Sequence, residues 1–262
     1  MSEVFVLSDG RKIEYKVYGQ EDGYPIIGCH GLAGSVFADG LEELLKELPV
    51  RYILIARPGY GKSDFFLMEN IARWPEIIEP LLEHLKIDTC DVIGISAGAP
   101  YACALAAAFP DRVKNIFINK GLGAIYKPEI LSLYPDGIEK VIAIYQKGSL
   151  EEIAAQLQET YLSQLSEEHK KIPYIRDSMV GGCLGMAACG KLEFMDWGFN
   201  IEDVSQPVLL FHCRDDQEVP FATAEKTIEY LKNAEMIAHD TGGHLSEALM
   251  MDMMGRIIAK YS

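Results

Sequence analysis

Apolar and polar positions alternate along this chain in two rhythms. Near the N-terminus, the runs 4–7 and 12–18 flank the turn Ser8-Asp9-Gly10 and predict an opening hairpin. Short runs that are almost wholly apolar follow at 26–29, 52–56, 92–95, 116–118 and 208–211. A strand covered on both faces has no polar side to show, so such runs suit a parallel sheet. Helical segments separate them, among them the amphipathic 77–85 and the alanine-rich 101–109. The alternation predicts an α/β fold, a mostly parallel central sheet with helices on both faces.

From about residue 121 to residue 201 this rhythm is lost. Segments 137–146, 150–164 and 167–179 carry helix formers with apolar spacing of about 3.6 residues. Segment 181–200 is rich in Gly, Met and Cys and shows no clear periodicity. The stretch reads as a helical insertion, residues 121–201, set into a core of 1–120 and 202–262.

Composition narrows the partners. Lys plus Arg total 24 against 39 Asp plus Glu, a formal charge of −15. That field repels nucleic acid and anionic membrane surfaces, and neither is expected as a partner. Met1-Ser2-Glu3-Val4-Phe5 has no basic segment before an apolar run, and no long uncharged apolar stretch follows, so the expected location is cytoplasmic. The cysteines at 29, 90, 103, 183, 189 and 213 then read as buried thiols rather than a disulfide framework.

The chemistry concentrates at Gly94-Ile95-Ser96-Ala97-Gly98, between a strand and a helix. This is the G-x-S-x-G nucleophile elbow in its strand–turn–helix setting. Side chains at Gly94 or Gly98 would collide with neighbouring backbone, and the helix N-terminus offers free N–H groups beside Ser96. A serine hydroxyl needs an adjacent base. His84 lies in an amphipathic run, His169 lies among charges, and His212 and His239 end predicted strands. His30 and His244 remain. His244 follows the pair Gly242-Gly243 on a loop after the last strand, at the sheet edge where ligands bind in open α/β sheets. The acid belongs on the loop after strand 208–211, where Asp215, Asp216 and Glu218 compete. Spacing does not choose among them.

In the order Ser96, Asp216, His244 the chain resembles the α/β-hydrolase superfamily, over nearly its whole length. His30-Gly31 resembles the family's oxyanion loop, and Arg57-Pro58-Gly59-Tyr60-Gly61-Lys62-Ser63-Asp64 its glycine-rich segment. His212-Cys213-Arg214-Asp215-Asp216-Gln217-Glu218-Val219-Pro220 is similar to its acid loop. There the last acidic residue before Val-Pro is the triad member, which selects Asp216. The resemblance further implies backbone N–H donors at Leu32 and Ala97, a bracing role for His30, and a helical cap in the insertion. Cys213 departs from the expected glycine and Ala56 from a frequent aspartate.

Other motifs carry less. Ala56–Ser63 comes one glycine short of a phosphate-binding loop, and Asp64 would oppose a phosphate there. No cysteine–histidine set has zinc-ligand spacing. The methionines at 250, 251, 253 and 254 suit packing on a final helix. The expected activity is serine hydrolysis of a small or medium carboxylic ester, thioester or related acyl bond, with no cofactor or metal. A carbon–carbon bond hydrolase with the same triad is one alternative; a non-hydrolytic ligand-binding protein on this fold is the other.

Overall fold

All five apolar runs become strands. The computed structural model describes residues 1–261. Its sheet comprises β1 (Glu3–Val6), β2 (Lys12–Gly19), β3 (Tyr24–Cys29), β4 (Val50–Ile55), β5 (Cys90–Ile95), β6 (Val113–Asn119), β7 (Val208–Cys213) and β8 (Ala234–His239). Their order is β1-β2-β4-β3-β5-β6-β7-β8. β1 pairs antiparallel with β2 and β2 with β4, and the later pairings are parallel.

Between the strands lie α1 (Leu41–Leu45), α2 (Trp74–His84) and α3 (Ala99–Ala108). Between β6 and β7 come α4 (Pro128–Leu131), α5 (Ile138–Lys147), α6 (Leu150–Thr160), α7 (Pro173–Ser178) and α8 (Leu184–Glu193). Helices α9 (Phe221–Ile228) and α10 (Glu247–Tyr261) complete the chain. Ile118 and Leu210 share a small cavity with residues of α3 and α9. On the other sheet face, Lys260 and Arg256 of α10 lie over the rings of Phe117 and Phe211. Coverage on both faces is what the unbroken apolar strands require: Ile27, Ile53, Val92 and Ile116 are fully buried. All six cysteines are buried and free. Among the described residues no helix is long and apolar enough to cross a membrane.

The chain leaves β3 for β4 on one side and reaches β5 on the other. That reversal opens a crevice beyond the C-terminal ends of β3 and β5, the place where open α/β sheets hold ligands.

Two helical expectations need correction. Segment 167–179 is not one helix. A 3-10 turn at His169–Lys171 precedes α7, because Pro173 lacks the N–H that a continuous helix would use. Segment 150–164 is α6 followed by a separate 3-10 turn, Leu162–Gln164. The aperiodic 181–200 holds α8, entered through left-handed Gly181, Gly182 and Cys183. Its periodicity was hidden because α8 is buried nearly all round.

The phosphate-loop look-alike has a different task. No helix starts at Lys62-Ser63; the loop is a seat for the insertion. A Cβ on Gly59 would lie 2.8 Å from the Gly185 Cα, and one on Gly185 2.5 Å from the Gly59 oxygen. The Gly61 N–H donates to the Asp177 carbonyl at 2.9 Å. Gly185→Ala is therefore expected to lower stability by about 1–3 kcal/mol, the usual range for overpacking a rigid contact. A reduced urea midpoint with an unchanged far-ultraviolet dichroism spectrum would register it.

Candidate active site

Strand β5 delivers Ser96 into a single 3-10 turn, Ser96–Gly98, from which α3 begins at Ala99. Ser96 has φ of 50°, in the left-handed region a serine rarely adopts. The neighbours enforce it. A Cβ on Gly94 would lie 2.7 Å from the Ala99 Cα, and one on Gly98 would strike the Cys29 carbonyl. Pro100 occupies the first turn of α3, where no N–H is missed. Backbone held in this region costs about 1–3 kcal/mol and persists only where packing over-determines it.

His244 stands on the loop after β8. Gly242 (φ 128°) and Gly243 (φ 58°) supply backbone that a side chain would resist. The imidazole Nε2 lies 2.8 Å from Ser96 Oγ, and Nδ1 lies 2.8 Å from Asp216 Oδ2. A carboxylate only accepts, so Nδ1 carries the hydrogen and Nε2 is free to accept the serine proton. Three side chains from three loops, 28 and 148 residues apart, form one chain of hydrogen bonds.

Of the three competing acids, Asp216 is the one bonded to His244. It is buried, and its Oδ1 accepts the N–H groups of Glu218 (2.9 Å) and Val219 (3.0 Å). Burial pushes its pKa up, but the His244 bond and those N–H donors outweigh it and hold the carboxyl below its usual value. Asp215 accepts from the N–H groups of Gly242 (3.1 Å) and Gly243 (2.8 Å), tying the acid loop to the histidine loop. Glu218 is largely exposed, with Oε2 3.9 Å from His244 Nε2.

On the opposite side, the loop after β3 lies over the serine. A Cβ on Gly31 would be 3.6 Å from the Ser96 Cβ. Leu32 follows it, and Ala97 follows Ser96 directly. His30 is buried; its Nδ1–H donates to the Gly31 oxygen (2.8 Å) and its Nε2 accepts the Arg57 N–H (3.2 Å). Burial and then the Arg57 charge push its pKa well down, so the ring is neutral.

Reading by residue type overlooked three groups here. His212 is fully buried, 2.8 Å from the Val219 oxygen and 3.4 Å from Asp216 Oδ2. Lys120, with φ of 48°, donates to the Ser246 oxygen at 3.1 Å, two residues beyond His244. Arg57 is buried against the His30 loop. The end of a buried strand was the signal available for His212 and Lys120. Among the described residues no group of three or more His, Cys, Asp or Glu could hold a metal ion.

A family model of the alpha/beta hydrolase fold matches residues 24–246, a span containing Ser96, Asp216 and His244. The chain belongs to the α/β-hydrolase family. It is 23% identical, over 223 residues, to a 2-hydroxy-6-oxononadienedioate/2-hydroxy-6-oxononatrienedioate hydrolase from Paraburkholderia phymatum, covering 79% of this chain and 77% of that one. Among solved structures, an esterase from Exiguobacterium antarcticum superposes with a TM-score of 0.76 at 18% identity, covering 100% and 99% of the two chains. A meta-cleavage product hydrolase from Pseudomonas fluorescens gives 0.69 at 20% identity, covering 99% and 96%. At such identities the structural likeness speaks for the α/β-hydrolase fold alone.

Asp215 braces the glycine pair, and its removal should loosen the histidine loop without unfolding the protein. In Asp215→Ala, amide hydrogen exchange at Gly242 and Gly243 is expected to quicken several-fold while β5 and β6 stay protected. Unchanged exchange at both glycines would contradict the brace.

Proposed function

We propose that this hydrolase cleaves a carboxylic ester, thioester or related acyl bond through a covalent acyl-enzyme on Ser96. The observation that carries the reading is the unbroken Ser96–His244–Asp216 hydrogen-bond chain, with both links at 2.8 Å. Ser96 Oγ attacks the substrate carbonyl carbon as its proton passes to His244 Nε2. Asp216 holds the ring in the required tautomer and stabilises the imidazolium. The N–H groups of Leu32 and Ala97 receive the oxyanion, each such donor contributing on the order of 3 kcal/mol to barrier lowering. Collapse expels the alcohol or thiol, which takes its proton from His244. A water deprotonated by His244 then releases the acid and restores Ser96.

The insertion, residues 121–201, acts in this reading as a cap over the nucleophile. Support comes from α8, which packs against the Ser96–Gly98 turn. The surroundings favour a neutral substrate of small or medium size. Glu218 stands beside His244, and the buried cations Arg57 and Lys120 already donate to backbone carbonyls.

A carbon–carbon bond hydrolase is the second reading, favoured by the relatives named for 2-hydroxy-6-oxononadienedioate. A dioate carries two carboxylates, and those committed cations leave poor partners for them. Turnover of 2-hydroxy-6-oxononadienedioate faster than any ester of increasing chain length or any lactone would decide for this second chemistry.

A fluorophosphonate probe is expected to label the wild type and not Ser96→Ala; an unlabelled wild type would favour a binding protein instead. Asp216→Asn is expected to lower kcat by roughly 10⁴-fold, the loss seen when a triad histidine takes the wrong tautomer. Asp215→Asn should lose far less. Equal losses in steady-state assays would mean that the acid is misassigned.

A further inference from the structure

The loop that carries Leu32 is gripped from behind by a buried cation. Arg57 is 2% exposed. One guanidinium nitrogen donates to the His30 carbonyl and the other to the Gly31 carbonyl at 2.7 Å, while the Tyr60 hydroxyl donates to the Leu32 carbonyl at 2.9 Å. Three consecutive carbonyls are thereby engaged. The Gly31–Leu32 peptide is planar and trans, so its C=O and N–H point in opposite directions. Fixing the Gly31 oxygen on Arg57 and on His30 Nδ1 therefore turns the Leu32 N–H the other way.

A buried guanidinium is costly unless compensated. Its central carbon, Cζ, lies 4.7 Å from the Tyr101 ring centre and 5.2 Å from that of Tyr60. Tyr101 is tied in turn to Glu193, at the end of α8 and itself only 6% exposed. Glu193 Oε1 accepts from the Cys189 thiol at 3.0 Å, and Cys189 Sγ accepts from the Tyr101 hydroxyl at 3.6 Å. Burial pushes the Glu193 carboxyl up to about 7, against the pull of the Cys189 bond and of Arg57. The network spans three parts of the molecule: the loop after β4, the helix behind the nucleophile and the last turn of α8.

We infer that Arg57 is a positioning residue for the oxyanion donor: its guanidinium aims the Leu32 N–H, and Glu193 of α8, through Cys189, braces the Tyr101 ring on which that guanidinium lies. The inference rests on Leu32 being an oxyanion donor, as proposed above. It also joins the insertion to the chemistry, because the brace comes from α8 and the fork comes from the core. Lysine would keep the charge but lacks the rigid fork that engages two carbonyls at once.

Arg57→Lys and wild type are to be compared in ester turnover and in affinity for two ligands, the product carboxylate and a trifluoromethyl ketone. The ketone forms a hemiketal on the serine and places its oxygen where the oxyanion forms. The variant is expected to lose on the order of 10²-fold in kcat, as for loss of one oxyanion donor. Affinity for the ketone should fall by the same factor, with KM and product affinity unchanged. Glu193→Ala, which removes the acceptor of the Cys189 bond, should show the same signature with a smaller loss. The double variant should be no worse than Arg57→Lys alone, since residues of one unit are not additive. Should Arg57→Lys not fold, Glu193→Ala carries the test by the same split between ketone and product. A folded Arg57→Lys with wild-type kcat, additive losses, or equal weakening of ketone and product would overturn the inference. A wild-type protein that neither labels with fluorophosphonate nor binds the ketone would overturn the Ser96 reading instead.

Discussion

The turn at Ser96–Gly98 presses so closely on the end of β3 that a single methyl on Gly98 would strike the Cys29 carbonyl. This contact holds Ser96 in a left-handed conformation and lays the next loop, His30 to Leu32, over the serine. Every other group at the site is disposed about that contact. The helix α3 starts directly behind it, the histidine loop reaches it from β8, and α8 packs against it. Strain at one residue is tolerable because two sheet strands and a helix over-determine its position.

The two sides of the site are organised by opposite charges. On the acid side, Asp216 collects backbone N–H groups and the His244 ring, so its carboxylate stays ionised in a buried place. On the other side, Arg57 collects carbonyls, so the backbone of the loop after β3 is held by a cation. Neither charge has to move. Preorganised groups of this kind need no rearrangement as charge develops.

Much of this was legible in the residues. The strands could be read because burial on both faces removes polar positions, and Gly94, Gly98, Gly242 and Gly243 marked the places where the chain must bend tightly or lie close. The insertion was harder. Pro173 divided what read as a single helix, and α8 had no amphipathic face to show because both of its sides are buried. Asp215 and Asp216 are neighbours of the same type. Only the fold distinguishes them, turning one toward His244 Nδ1 and the other toward the amides of the glycine pair.

By itself the sequence determined the class of the fold, the tight turn at Ser96 and the inventory of titratable groups, since these follow from local rules of burial, periodicity and steric room. Tertiary structure alone decided which groups meet. It joined Ser96 to a histidine 148 residues away, gave Arg57 two carbonyls to hold, and tied the Tyr101 ring beside that cation to α8. Such pairings depend on register and packing between distant segments, and no local pattern encodes the distance between them.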